Sequence, residues 1–216
     1  MRFELDRELK VIHDMLIKMG TLIEEAIVNT IKALKEQDKD LAKKVIEMDD
    51  EIDALEEKIE QECISIIALQ NPKASDLREI TSVLKMITDL ERIADHCADI
   101  AEYTLKLADE TYIKPLVHIP EMADRVKEMV KLTIDCYVKK DVKVAIKVCE
   151  MDDIIDEYFD NLVDELKGIM QANQEVIPQC LHFIFIVKYL ERMADHATNV
   201  CEWIVYNITG KHETLN

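Results

Sequence analysis

The chain has 216 residues, a net charge of −18, three glycines, four prolines and 5% aromatic residues. Such a glycine- and proline-poor, aliphatic composition argues for an all-α protein, long enough for one large domain or two small ones. A polyanion whose nearest approach to a basic cluster is Lys139-Lys140 is repelled by nucleic-acid backbones and anionic lipid, so nucleic acid is excluded as a partner and cations are the natural small ligands.

The first expected helix runs from Phe3 to Glu36. Leu9, Ile12, Leu16, Met19, Ile23, Ile27 and Ile31 recur at spacings of three and four, the mark of one core-facing stripe. Gly20 weakens it locally without stopping it. Gln37-Asp38-Lys39-Asp40 breaks the period, and Asp38 or Asp40 is placed to cap a second helix that runs to Gln70. Asn71-Pro72 ends that helix, because proline lacks a donor and disfavours helix at the preceding residue. A third helix starts at Ser75, with Asp76 and Glu79 in its first turn, and ends near Ala108.

The stretch from Asp109 to Ile119, with Pro115 inside it and Pro120 just beyond, has no helical period and reads as a connector between two halves. Three further helices are expected after it: Pro120 to Val138, then past Lys139-Lys140-Asp141 to Gln171, then from the break at Ala172-Asn173 to about Asn207, with Pro178 in or just before the last helix's first turn.

The second half repeats the first. Leu90-Glu91-Arg92-Ile93-Ala94-Asp95-His96 returns as Leu190-Glu191-Arg192-Met193-Ala194-Asp195-His196. Ala42, Lys44, Val45, Glu47, Met48, Asp49, Asp50, Ile52 and Asp53 reappear as Ala145, Lys147, Val148, Glu150, Met151, Asp152, Asp153, Ile155 and Asp156. Both segments return in the same order, the mark of a duplicated unit. The expected architecture is therefore a tandem pair of three-helix bundles, six long helices in all, with residues 1–109 forming the first repeat and 119–210 the second.

Carboxylates dominate what is repeated. At about 100° per residue, Glu91, Asp95, Asp99 and Glu102 fall within roughly an 80° sector of the third helix, and Ile93, Cys97 and Ile100 point to the opposite side. Asp49 and Asp53 are four apart on the second helix and so share a face. Short connections make consecutive helices antiparallel neighbours, which lets the two acidic faces meet. The first candidate site is thus Asp49, Asp53, Glu91, Asp95 and Asp99. Its counterpart is Asp152, Asp156, Glu191, Asp195 and Asn199, and Asn199 in the place of Asp99 predicts weaker metal binding there. Glu102 and Glu202 are outer candidates. His96 and His196 lie about 100° around the helix from the preceding Asp, at the edge of each site as ligands, hydrogen-bond partners or neither.

Like charges at four-residue spacing destabilise a bare helix, and gathering several invites a cation to offset the repulsion. Oxygen ligands suit Mg²⁺, Ca²⁺ and Mn²⁺, or iron as Fe³⁺ with bridging oxygens. Two alternatives stand beside a metal site. One is a carboxylate-bridged metalloenzyme in a helical bundle; the Glu-x-x-His spacing of such centres is absent, since the residues three before the six histidines are Lys10, Ile93, Pro115, Gln179, Met193 and Thr209. The other is a purely structural acidic bundle whose stripe is simply solvated. Nor is there a Gly-rich phosphate-cradling loop. The chain is therefore expected not to be an enzyme.

Other residues point to structure. Cys63, Cys97, Cys136, Cys149, Cys180 and Cys201 include no Cys-x-x-Cys pair and sit in apolar helical patterns, as free core thiols of a reducing compartment do. Met48, Met151, Ile184, Val187 and Leu190 read as core, His182 as a satisfied core or interface histidine, and Trp203 as packing near the second site. Met1-Arg2-Phe3-Glu4 does not open a signal peptide, and the longest apolar run, Cys180 to Val187, is too short to span a bilayer. A cytoplasmic protein that meets a membrane only through partners is expected.

With two three-helix units carrying Asp76-Leu77-Arg78, Asp89-Leu90-Glu91-Arg92-Ile93-Ala94-Asp95-His96 and Tyr189-Leu190-Glu191-Arg192-Met193-Ala194-Asp195-His196, the chain resembles the PhoU family along nearly its whole length. The second half departs from the pattern at Val176-Ile177-Pro178-Gln179, where the Asp-Leu-Arg triplet is missing. The resemblance implies a negative regulator of phosphate uptake and of the phosphate-starvation response. It also implies an adaptor between the ATPase subunit of the phosphate ABC transporter and a membrane-bound sensor histidine kinase. Metal cations on the Glu/Asp-x-x-x-Asp motifs, as an iron cluster or as Mg, Mn, Zn or Ca, and assembly as a homodimer are further implications.

Overall fold

The computed structural model describes residues 2–212. Six long helices, α1 (Arg2–Glu36), α2 (Lys39–Gln70), α3 (Ala74–Leu107), α4 (His118–Lys139), α5 (Val142–Ala172) and α6 (Ile177–Thr209), account for almost all of it, with one 3-10 turn at Gln174–Val176. α1, α2 and α3 pack on one another, as do α4, α5 and α6. The two bundles join along α3 against α6, the most extensive interface, and along α1 against α4.

Helix boundaries follow local chemistry. Asp38 caps α2, its carboxylate accepting from the Asp40 and Leu41 amides at 3.0 Å, and Asp141 caps α5 through the Lys143 amide at 3.0 Å. α3 starts one residue before the expected Ser75. That register puts Asp76 three positions into the helix, where its carboxylate accepts the Lys73 N–H at 3.1 Å. α4 likewise begins two residues before Pro120, which the first turn tolerates because its amides are unpaired within the helix. The break before α6 is the 3-10 turn, started by the Asn173 side chain accepting the Glu175 N–H at 3.0 Å.

The predicted α1 stripe is the core: Ile12, Leu16, Met19, Ile23 and Ile27 are all buried, and Ile31 packs against its edge. All six cysteines are free and buried. Gly20 marks the contact between the halves, since a Cβ there would lie 2.5 Å from Ile134 Cγ1 of α4. Arg78 of the Asp-Leu-Arg triplet is a staple, its Nε donating to the Asn207 carbonyl of α6 at 3.1 Å. It also packs over Gly210, whose φ of +75° closes α6.

The connector is tied down. Gln37 Nε2 donates to the Leu107 and Glu110 carbonyls at 3.0 and 2.8 Å, and Tyr112 OH to the Leu34 carbonyl at 2.6 Å. Gln179, buried in the first turn of α6, accepts the Ile113 N–H at 2.7 Å and donates to Glu110 Oε2 and the Thr111 carbonyl. The segment that lacks the triplet in the second half thus anchors the connector. Among the described residues no helix is long and apolar enough to cross a membrane.

Candidate metal centre

The first carboxylate group forms where α2 and α3 run side by side. Ile52 and Leu55 of α2 and Leu90, Ile93 and Ala94 of α3 face the core, which turns Asp49, Asp53, Glu91 and Asp95 to the half-buried seam between the two helices. One oxygen each from Asp49, Asp53 and Asp95 lies within 4.8 Å of the other two. Asp49 Oδ1, Asp53 Oδ1 and Glu91 Oε2 are buried and accept no hydrogen bond.

Arg92 stands at the rim, with Nη1 2.5 Å from Asp95 Oδ2 and Nε 3.4 Å from Glu91 Oε2. The second contact is a charge contact without hydrogen-bond geometry. One exposed guanidinium leaves most of the cluster uncompensated. Burial first, and then the neighbouring Asp95, push Asp49 up from 3.8 to about 7. Burial and Asp95 likewise push Glu91 up to about 7, against the opposing pull of Arg92. Asp53 is raised by the same causes.

Two members of the expected set are placed differently. Asp99 lies one turn beyond the cluster with Oδ2 3.2 Å from His96 Nδ1, although its charge still reaches Asp49. Glu102 is exposed another turn on, beside Ile46. His96 and His196 point into the α3–α6 interface, their ring centroids 5.7 Å apart. His196 Nδ1 lies 2.9 Å from Asp89 Oδ1 and Asn199 Nδ2 donates to the same oxygen at 3.3 Å. Both therefore tie α6 to α3, where the structure brings them to a partner in the other half.

The second group is built on α5 and α6 but is electrically different. Burial first, and then the Glu191 charge, raise both Asp156 and Asp195. Asp152 is buried, and burial first, then the nearby Glu202 and Asp152 charges, raise the Cys149 thiol. Lys188 enters this group, its Nζ donating to Glu191 Oε1 at 2.7 Å and to Oε2 at 2.6 Å, while lying 5.2 Å from the centre of the Phe159 ring.

Three participants escaped the reading of the repeats. Glu56 extends the α2 stripe by one turn, accepts from Thr88 Oγ1 at 3.2 Å, and is raised by burial; its signal was the three-residue step from Asp53. Lys188 lies three residues before Glu191. Asp89 is printed in the first repeat and replaced by Tyr189 in the second. His182 packs 5.4 Å from the Tyr103 ring where α6 meets α3, but its Nδ1 is buried without a partner, so it is an interface histidine and not the satisfied one expected; Trp203 packs edge-on against Tyr206.

The donor set fits a hard cation. Three carboxylates from two helices, Asp49, Asp53 and Asp95, converge, buried oxygens of Asp49, Asp53 and the neighbouring Glu91 lack hydrogen-bond donors, and oxygen-rich ligation is what Mg²⁺, Mn²⁺, Ca²⁺ or ferric iron takes.

Comparison with known proteins gives the lineage. The PhoU domain matches twice, at residues 16–104 and 119–204. A phosphate-specific transport system accessory protein PhoU homolog from Clostridium acetobutylicum is 39% identical over 98% of this chain and 97% of its own. The protein named phosphate-specific transport system accessory protein PhoU in Escherichia coli is 30% identical over 96% of this chain and 86% of its own. Crystal structures of PhoU from Pseudomonas aeruginosa and of the phosphate transport system regulatory protein PhoU from Streptococcus pneumoniae superpose with TM-scores of 0.92 and 0.90, at 32% and 31% identity. They cover 95% and 97% of this chain and 99% of each of theirs. With the domain matched in both halves, relatives aligned from end to end and the same six-helix fold in solved structures, the chain belongs to the PhoU family.

Proposed function

We propose that this protein is the accessory regulator of a phosphate-specific transport system. In this reading it is a non-enzymatic, cytoplasmic adaptor that holds metal cations on its α2–α3 carboxylates and represses the phosphate-starvation response. The observation that carries the metal part is the set of three buried carboxylate oxygens without hydrogen-bond donors, from Asp49, Asp53 and Glu91. A divalent or ferric ion supplies the missing positive charge, and Asp95 completes the ligand set. The names of the relatives support the transport-system part. The partners that reading calls for are the transporter's ATPase subunit and the membrane-bound sensor histidine kinase, met by a homodimer whose only access to the membrane is through them.

In the site itself, this chain's residues do positional work. α2 and α3 fix four carboxylates over an aliphatic core, and Arg92 orients Asp95 from the rim. A bound ion supplies electrostatic cross-linking of the two helices and shapes the surface that they present.

The test is complementation. In a phosphate-replete strain lacking its own copy of the gene, the wild-type chain restores repression of a starvation-induced alkaline phosphatase. The double variant Glu91→Gln, Asp95→Asn loses both that repression and the bound metal measured by elemental analysis. Arg92, already bonded to Asp95, favours the rival reading of a structural acidic bundle. Full repression by the double variant decides for that rival.

A further inference from the structure

The two halves differ most where the repeat is not kept. Aligning Met48 with Met151 and Glu91 with Glu191 places Glu56 opposite Phe159 and Thr88 opposite Lys188. The exchange is paired in space as well as in sequence. In the first half Thr88 donates to Glu56 at 3.2 Å, adding one more carboxylate to the cluster. In the second, the Lys188 ammonium lies over Phe159 and bonds both oxygens of Glu191. One acid has been removed and one cation installed.

We propose that Lys188 is a tethered counter-cation that fills the second carboxylate group, so that the chain takes its metal in the first half alone. The inference rests on the reading that the first group binds metal. Three observations support it. Lys188 engages Glu191 at both oxygens, at 2.7 and 2.6 Å, which removes the α6 glutamate as a ligand. Among the described residues the buried carboxylate oxygens without a hydrogen bond all belong to the first half, whereas Asp156 and Asp195 of the second group are exposed to solvent. Arg92, the cation of the first group, is bonded to Asp95 at the rim and makes only a 3.4 Å charge contact with Glu91 Oε2, leaving Asp49 Oδ1 and Asp53 Oδ1 bare. Because the ammonium is carried on the same helix as Glu191, it is present at a high effective concentration that free ions must outcompete. Phe159 supports it with an aromatic face where the first half has Glu56. Lys188 is thus a specificity-determining residue: it acts on the metal equilibrium through Glu191 and needs no contact with an ion.

The experiment is calorimetric titration of the chelator-stripped, full-length protein with Mn²⁺, with helical circular dichroism to confirm folding. In the wild type, Glu91→Gln with Asp95→Asn abolishes binding, and Glu191→Gln with Asp195→Asn leaves it unchanged. Lys188→Thr creates a second set of sites that binds at least ten-fold more tightly than any second-half site of the wild type. Lys188→Arg, which keeps the charge, does not. Thr88→Lys, at an exposed position, weakens the first set at least ten-fold. If the wild type loses as much Mn²⁺ from the second-half double variant as from the first-half one, or Lys188→Thr adds nothing, Lys188 is not the gate and the metal reading stands without it. No Mn²⁺ bound by any of these proteins overturns both.

Discussion

Replacing Asp49 by asparagine should make the metal-free protein more stable, although it alters a half-buried residue. Asp49 is lifted from 3.8 to about 7, by burial first and then by Asp95, Asp53, Asp50 and Asp99. At about 1.4 kcal/mol per unit, a rise of about three units corresponds to about 4 kcal/mol. Solvent reaching this half-buried seam lowers that to about 2 kcal/mol. The sign follows from proton linkage. The folded carboxyl holds its proton more tightly than the unfolded one, so the folded state binds more protons between about pH 4 and pH 7. Stability therefore falls as pH rises through that window, and the penalty is complete above it. Glu91, also pushed up to about 7, adds its own share in nearly the same range. Thermal or urea unfolding of chelator-stripped protein from pH 4.5 to 8 should show the wild type weakening toward pH 8. Asp49→Asn should keep about 2 kcal/mol more stability at pH 8, about 4–8 °C in Tm for a chain of this size, with a shallower pH slope. A variant no more stable than wild type at pH 8, with the slope intact, would refute the claim that this carboxylate is held against its preference.

Two further outcomes test the frame around the site. Gly20→Val should destabilise the protein by about 1–3 kcal/mol through overpacking against Ile134. Ile134→Ala should recover part of that loss in urea titrations, whereas strictly additive effects would place the damage elsewhere. Gln179→Leu strips partners from the Ile113 amide and the Thr111 carbonyl, a loss of about 1–3 kcal/mol. Limited proteolysis should then cut residues 109–117 several-fold faster, and an unchanged cleavage rate would show that Gln37 and Tyr112 hold the connector unaided.

Periodicity made the helices legible. The α1 stripe from Ile12 to Ile27 needs one partner face, and the structure supplies it. Proline and the Asp38 cap marked the turns, while the start of α3 slipped by one residue because Asp76, rather than Ser75, makes the capping contact. The carboxylate faces were legible because four-residue spacing fixes them within a helix. The fate of His96, His196 and Asn199 was not, since it depends on how α3 meets α6, and nothing in one helix's period encodes a neighbour in the other half. Asp99 went the same way, drawn toward His96. Lys188 and Glu56 were passed over for a different reason. Comparing repeats by what they share hides the positions at which they differ, and the electrostatic contrast between the halves resides there.

The aliphatic interior of each bundle is complete beneath its acidic seam: Ile52, Leu55, Leu90 and Ile93 are buried in one half, Ile155, Leu190 and Met193 in the other. Ligand chemistry and folding are thereby carried by opposite faces of the same helices. After duplication, either copy was free to exchange a threonine for a lysine, or a glutamate for a phenylalanine, without opening a cavity. In the metal-binding reading proposed above, such a scaffold would let one half remain a receptor for ions while the other drifts toward a self-contained strut, with the two duties retuned one at a time.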